Sequence, residues 1–478
     1  MSHIADELVK RKHSVTWLEF GYEKSNFELN HGVNEIFWYV NRRGSKQDNR
    51  FYRNISIDEL VWRTDFMNDA EKISAWLTSI EICDRILSHR KSEFDELVIQ
   101  KFDVVIVDDL YNPCGLLLVG LKKSTFIYWS LTSFRTETAW ANQSPFPPSY
   151  LPVPGTGLTD DMNMLERIYN LAAYWRTIYV HHHIILPRVD VIFQKYYPES
   201  VPNAFFIERN ASINFINTPL VFDFARPYMP RVIFVGAIHC REPQSLEGAL
   251  SEFVDGADDA NGVVLFTSGF SIEWKRAPAN IINAFVNAFR IMNATRFVWQ
   301  YNGWPIKNLP KNVLILDWVP QQDLLEKMFF LGHPKVKAHI THGGLNSVIE
   351  SVWHGVPIIG IPFTISAYDN IIRLTSRAVG ILLSKKDLRV ELIIKALKQI
   401  RHPRYMKEMN VFRDMVVDVP YTELNHSTFW VEFIERHQEV PHARSGADEL
   451  NILQYFLVDV VQLKICLSKE ALIKKKHN

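Results

Sequence analysis

The residues with the most chemical meaning stand between 317 and 370. A β-branched run, AHIT, ends at His342-Gly343-Gly344 and passes directly into a helical pattern opened by Asn346 or Ser347. Such a turn leaves first-turn N–H groups unpaired and aims the positive end of the helix dipole outward, while glycine lets an anion approach the backbone. That is phosphate-binding chemistry. Taken alone, Gly343 and Gly344 also fit a tight turn capped by Asn346. Upstream, Trp318, Pro320 and Gln321 fall on the loop after VLIL, where an indole can stack on a base and an amide can bond its edge. Downstream, Glu350 follows Ser347 by three positions, about one helical turn, where a carboxylate can accept from ribose hydroxyls. Singly, Trp318 fits a core and Glu350 a helix face. As an ordered set they span a nucleoside diphosphate.

The elements that must carry these residues alternate along the chain. In the first half, 4–12 has helical spacing, 14–20 reads as a strand, and FDVVIV at 102–107 reads as a buried strand. The proline-rich stretch 144–158 must be a loop, because proline lacks the donor and restricts its predecessor. Helical periodicity resumes over 161–180. A polar segment at 241–259 with Pro243, Gly248 and Gly256 suits a connection between domains. Beyond it the rhythm restarts: strands at 262–269, 296–301, VLIL, VKAHIT and VPIIGIP, and helices at 278–292 and 346–354. Strands alternating with helices predict a second parallel sheet covered on both faces. The domains are expected at 1–240 and 241–450, followed by an apolar and basic tail at 451–478.

Composition sets the outer limits. The 478 residues carry 53 Lys+Arg against 53 Asp+Glu, and 47% are hydrophobic, which is ordinary for a globular chain of two domains. A net charge of zero supplies no broad positive field, so nucleic acid is not an expected partner. Cys83, Cys114, Cys240 and Cys466 are widely scattered, and their spacing indicates neither zinc nor a disulfide framework. The start, MSHIADELVKRKHSV, reads as an amphipathic helix rather than a secretory leader. ILQYFLVDVVQLKICL is apolar but interrupted by Gln454, Asp459, Gln462 and Lys464, so it suits a membrane surface or a packed helix better than a span. N-x-S/T triplets stand at Asn54, Asn142, Asn210, Asn293 and Asn425, acceptors only in the secretory pathway. An early G-x-G-x-x-G, which a dinucleotide-dependent oxidoreductase would require, is not found.

The order W-V-P-Q-x-D-L-L, H-P-K, T-H-G-G-x-N-S-x-x-E, G-V-P closely resembles the signature of UDP-dependent glycosyltransferases, specifically the animal UDP-glucuronosyltransferase type. FDVVIVDDLYNPCG, the proline-rich stretch and WVEFIERHQEVPHARSGADELNILQYFLVDVV also look like family segments, so the resemblance covers nearly the whole chain. It implies an α/β fold of glycosyltransferase-B architecture, two Rossmann-like domains facing a cleft. The acceptor would bind the N-terminal domain and UDP-sugar the C-terminal one. By that resemblance Trp318 stacks on uracil, Gln321 contacts the uridine, His342, Gly344, Asn346 and Ser347 hold the diphosphate, and Glu350 holds the ribose. The implied chemistry is inverting transfer of a sugar, by default glucuronic acid or else glucose, to a hydroxyl of a small lipophilic acceptor. No cofactor or metal is expected, since the helix N-terminus would stabilise the leaving diphosphate. The family location is the endoplasmic reticulum membrane, and Lys475-Lys476 near the end resembles a retrieval tail. Homo- or hetero-oligomers are left open.

Departures from the pattern carry expectations of their own. The family base is a histidine on the loop after the first strand, oriented by an aspartate five residues before a P-C cysteine, which counts back to Asp109. His3 lies too close to the first helix to be that base. The reading is therefore of a chain truncated at its start, lacking the first strand and the histidine. Ser366 and Ala367 replace the usual Asp-Gln pair that binds sugar hydroxyls, leaving Ser366 and Asp369 for that task. LLEKMFFLGHP is longer than the usual motif, and Phe270 stands where a phosphate-facing serine is expected. The alternative to an active enzyme is a catalytically impaired UDP-sugar-binding homologue serving as a non-catalytic partner.

Overall fold

The computed structural model describes residues 1–460 except 23, 25–27, 41–60, 63–67, 199–200, 271, 326–334, 451 and 456. The lengthened motif at 326–334, Asn54 and the tail with Lys475 and Lys476 thus lie outside the described residues. Twelve strands, all parallel to their partners, form three sheets among the described residues.

In the first half, β1 (Val15–Gly21) pairs with β2 (Val33–Tyr39). A separate sheet runs in the order β3 (Val105–Asp108), β4 (Phe126–Ser130), β5 (Ile213–Ile216), β6 (Val232–Phe234). The two sheets share apolar layers on both faces. Val15 joins Val104 and Ile106 on one side. Leu18 and Phe20 join Val105 and Val107 on the other. The central strands are apolar on both faces because helices cover both, as parallel sheets require.

The second half holds β7 (Val263–Thr267), β8 (Arg296–Gln300), β9 (Val313–Leu316), β10 (Val336–Thr341), β11 (Ile358–Gly360) and β12 (Gly380–Leu382). Their order is β12-β11-β10-β7-β8-β9. This is the doubly wound arrangement, and the chain reverses its direction of winding between β7 and β10. Ligands of such sheets bind in the crevice beyond the carboxyl ends of those two strands. The predicted strands and helices of this half appear within a few residues of their expected limits; the helix expected from 346 begins at Leu345.

Several links join the halves. Asp223 lies buried between the guanidiniums of Arg373, 2.8 Å from Oδ1, and Arg226, 3.1 Å from Oδ2. Burial pushes the Asp223 carboxyl up, but the two arginines outweigh it and hold it below the usual range. Arg373 also donates to Ser133 Oγ at 3.2 Å. Near the end of the chain, the helix Glu423–His437 returns to the N-terminal half, where Val431 and Ile434 pack with Ile4, Leu8 and Ile127.

One expectation is overturned. Cys83 and Cys114 form a disulfide, Cα to Cα 5.4 Å, between the helices Asn68–His89 and Pro113–Lys122. Spacing rules see only local pairs, whereas these cysteines meet because both helices cover the same face of the sheet. Both are fully buried. The bond anchors the helix that follows the loop bearing Asp109. Replacing both cysteines by alanine is expected to lower unfolding free energy by about 2–4 kcal/mol, read from the urea midpoint.

Candidate functional site

The site is assembled around one imidazole. A Cβ on Gly269, in the loop after β7, would stand 2.7 Å from His342 Cε1, and one on Gly344 would stand 2.5 Å from His342 Nε2. The His342 ring is therefore held between two glycine backbones at the point where the sheet reverses. Burial pulls its pKa down to about 4, so the ring is neutral at physiological pH. Its Nδ1 is buried without a hydrogen-bond partner. Beside an uncapped helix start, such an atom is available to bond a ligand. Gly343 adopts φ +90°, and a Cβ there would meet Ala367 O at 2.8 Å, so this turn admits only glycine.

The helix Leu345–Trp353 follows with Gly344 as its N-cap and no side-chain cap. Asn346 and Ser347 thus do not open the helix as caps; they stand in its first turn. Asn346 Oδ1 accepts from Asn217 Nδ2 of the other half at 3.4 Å, and Ser347 Oγ donates to Gln321 Oε1 at 3.4 Å. With no residue spent on capping, the first-turn amides remain for an anion beside His342.

Gln321 and Glu350 meet: Gln321 Nε2 donates to Glu350 Oε2 at 2.5 Å. Gln321 Oε1 accepts from Thr267 Oγ1 at 2.8 Å. Thr267 also bonds His339 Nε2 at 2.8 Å, and His339 Nδ1 bonds Ser351 Oγ at 2.7 Å, so the ends of β7 and β10 are tied to the helix. Burial drives His339 down to about 3, leaving a neutral imidazole. Glu350 is raised to about 7 by burial, against the opposing Gln321 bond and Arg241. Trp318 projects from the loop after β9 at 56% exposure, and Phe270 stacks on it with centroids 4.5 Å apart. One indole face is therefore covered by Phe270 itself.

Ser366 and Asp369 lie on the helix Ile365–Thr375, where Thr364 caps the first turn by accepting from Ala367 N. Ser366 Oγ bonds Thr364 Oγ1 at 3.3 Å. Asp369 Oδ2 accepts from Gly155 N, on the proline-rich loop of the other half, at 2.8 Å. Both residues line a cavity of about 310 Å³ that the two halves share. Leu345 and Ile365 also face it, and from the first half Trp76, Tyr111, Arg135 and His181 do so. Asp109 is buried behind this wall in an ion pair with Arg135 at 3.0 Å, and accepts from Thr138 Oγ1 at 3.2 Å. Burial pushes its carboxyl up despite the guanidinium. His3 lies exposed on the first helix, with its Nδ1 3.4 Å from Ser2 Oγ.

The structure thus brings His342, Gly344, Asn346, Ser347, Gln321 and Glu350 together, with Trp318 on an adjoining loop and Ser366 and Asp369 beside the cavity. Sequence reasoning missed Thr267, His339, His239 and Gln322. His239 Nε2 lies 3.4 Å from Glu350 Oε1, and Gln322 Nε2 donates to His239 O at 2.9 Å. The HC pair that ends RVIFVGAIHC was the available signal for His239; nothing in the spacing pointed to it. Gly344→Ala is expected to displace the His342 ring and weaken uridine diphosphate binding about tenfold, roughly the loss of one hydrogen bond, in isothermal titration.

Comparisons with known proteins bear on the family and the fold. Residues 1–477 match the family described as UDP-glucoronosyl and UDP-glucosyl transferase. The UDP-glucuronosyltransferase 2C1 of Oryctolagus cuniculus is 31% identical over 404 residues, covering 83% of this chain and 77% of the relative. The 2-hydroxyacylsphingosine 1-beta-galactosyltransferase of Homo sapiens is 30% identical over 398 residues, covering 81% and 71%. Among solved structures, UGT2 of Phytolacca americana, complexed with UDP-2fluoro-glucose and pterostilbene, aligns with a TM-score of 0.58 at 16% identity, over 91% of this chain and 95% of that one. The calicheamicin glycosyltransferase CalG4 aligns equally well, at 0.58 and 15% identity. The architecture is glycosyltransferase-B, and the chain belongs to the UDP-glucuronosyl and UDP-glucosyl transferase family.

Proposed function

We propose that the chain transfers a hexose from UDP-sugar to a hydroxyl of a small, largely apolar acceptor, with inversion at the anomeric carbon. The observation that carries this reading is the uncapped helix Leu345–Trp353 with the unpartnered His342 Nδ1 beside it, opening next to the shared cavity. In this reading the first-turn amides and His342 take the diphosphate, with Gly344, Asn346 and Ser347 at its contact. Trp318 stacks on uracil through the face that Phe270 leaves open, Gln321 meets the uridine, and Glu350 accepts from the ribose. Backbone amides and neutral donors stabilise the charge on departing UDP, so the reaction takes no metal and no cofactor. The acceptor lies against Trp76, Leu110, Tyr111 and Ile185 in a space sized for one or two rings.

For the sugar, the family default is glucuronic acid. The sugar end here offers Ser366, Asp369 and Asn370, neutral and acidic groups, and the Arg135 guanidinium nearby is engaged by Asp109. Placing a uronate beside Asp369 opposes like charges, which favours a neutral hexose such as glucose. Purified chain incubated with a phenol panel is expected to form conjugates faster with UDP-glucose than with UDP-glucuronate, by mass spectrometry. A thermal shift by UDP with no conjugate from either donor would leave the binding-only partner as the correct description.

The endoplasmic reticulum lumen is the proposed location. The Cys83–Cys114 disulfide supports an oxidising compartment. No helix among the described residues is long and apolar enough to cross a membrane. Lumenal synthesis is expected to add glycans at the exposed Asn293 and Asn210 and to spare the buried Asn142, seen as glycosidase-sensitive mobility shifts lost in Asn293→Gln and Asn210→Gln but not in Asn142→Gln.

A further inference from the structure

Between the helices Met164–Tyr179 and Leu186–Tyr196 the chain makes one wider turn, a π-helix over Val180–Ile185. Such turns change the direction in which successive side chains point and recur at functional sites. Here the turn parts two cavities. Thr177, Val180, His181 and Ile185 face the cavity shared by the two halves, whereas Ile178, His182 and His183 face a second cavity of about 280 Å³. None of the residues assigned above to UDP, sugar or acceptor lines this second space.

Rings supply most of its wall. Trp140 and Tyr455 meet edge to face with centroids 5.7 Å apart, and His182 lies across Phe205 at 4.1 Å. Tyr174 and Ile178 add buried apolar surface. An enclosure of this kind takes up an apolar molecule for the area it removes from water, and a few polar groups then fix the orientation. Some polar groups of the wall are already committed. Ser144 Oγ accepts from Met229 N at 3.1 Å, and the Arg209 guanidinium lies 5.5 Å over the Phe205 ring. Two are not: His182 Nε2 and Gln143 Oε1 are buried without a hydrogen-bond partner. The neighbouring histidine shows the contrast, since His181 Nε2 is 3.0 Å from Glu208 Oε2.

Charge and hydrogen-bonding capacity narrow the ligand. Burial, with His181, His183 and Arg209 adding to it, pulls the His182 pKa down to about 4, so the ring is neutral, and Tyr174 stays protonated. A neutral imidazole nitrogen gives or takes one hydrogen bond, and an amide oxygen only takes. A hydroxyl matches both, because it donates as well as accepts. A carboxylate brings acceptors alone and leaves the Gln143 oxygen unanswered. We propose that the second cavity binds a neutral, ring-bearing small molecule whose hydroxyl is shared by Gln143 and His182, apart from the acceptor of the transfer reaction. The site rests on no step of that reaction.

The probe is 2-naphthol, with 2-naphthoate as an anion of similar shape, each counted on the whole chain by equilibrium dialysis without UDP-sugar. The unmodified chain is expected to hold one more 2-naphthol than Ala447→Trp, whose indole fills the cavity from the turn Gly446–Glu449. Gln143→Met combined with His182→Phe keeps the shape of the wall and removes both polar atoms, and should weaken the site about tenfold or more. Leu110→Trp, which narrows the other cavity, should leave it intact. Equal numbers bound to the unmodified chain and to Ala447→Trp, loss of all binding in Leu110→Trp, or naphthoate held as tightly as naphthol overturns the proposal. Should the paired variant fail to melt cooperatively, the two tryptophan variants decide: the extra naphthol lost in Ala447→Trp and kept in Leu110→Trp supports the site, and any other pattern overturns it.

Discussion

The donor half depends on one omission: the helix Leu345–Trp353 carries no side-chain cap. A serine or aspartate at position 344 would satisfy the first-turn amides internally, and its Cβ would strike the His342 ring. Glycine there leaves the amides open and the ring in place. The same economy extends to charge. His239, His339 and His342 are all driven to about 3 or 4 by burial, so the crevice presents neutral donors and a helix dipole rather than cations. Neutral donors hold a diphosphate without trapping it as strongly as fixed positive charges would, which suits a site that must release UDP.

Much of this half was legible in the residues themselves. Parallel, doubly covered strands must be apolar on both faces, and their ends are marked by glycine, so β7, β10 and the helix after His342 follow from pattern alone. Proximity within the site was legible only along the chain. Gln321 and Glu350, 29 positions apart, bond each other directly, and Thr267 ties Gln321 to His339 through the adjacency of β7 and β10, which no local spacing encodes. The stacking of Phe270 on Trp318 and the grip of Asp369 on Gly155 arise likewise from loops meeting in space.

The first half was less transparent for a physical reason. Many of its site residues come from loops and from a π-helix, neither of which has a hydrophobic period to read. The Cys83–Cys114 bond joins helices that are adjacent only because both rest on one sheet face. His181 sits in a run of three histidines, and sequence cannot say which of them a wider helical turn sends toward the cleft.

The carboxylate of Asp223, clasped by Arg226 from its own half and Arg373 from the other, bears on how the molecule breathes. Parting the halves would leave Asp223 with Arg226 alone and take the Arg373 guanidinium from its carboxylate, so a wide swing about this point is unfavourable. Substrates and products must therefore pass through the mouth of the cleft, and the pace of their traffic belongs to the loops at its rim rather than to a hinge.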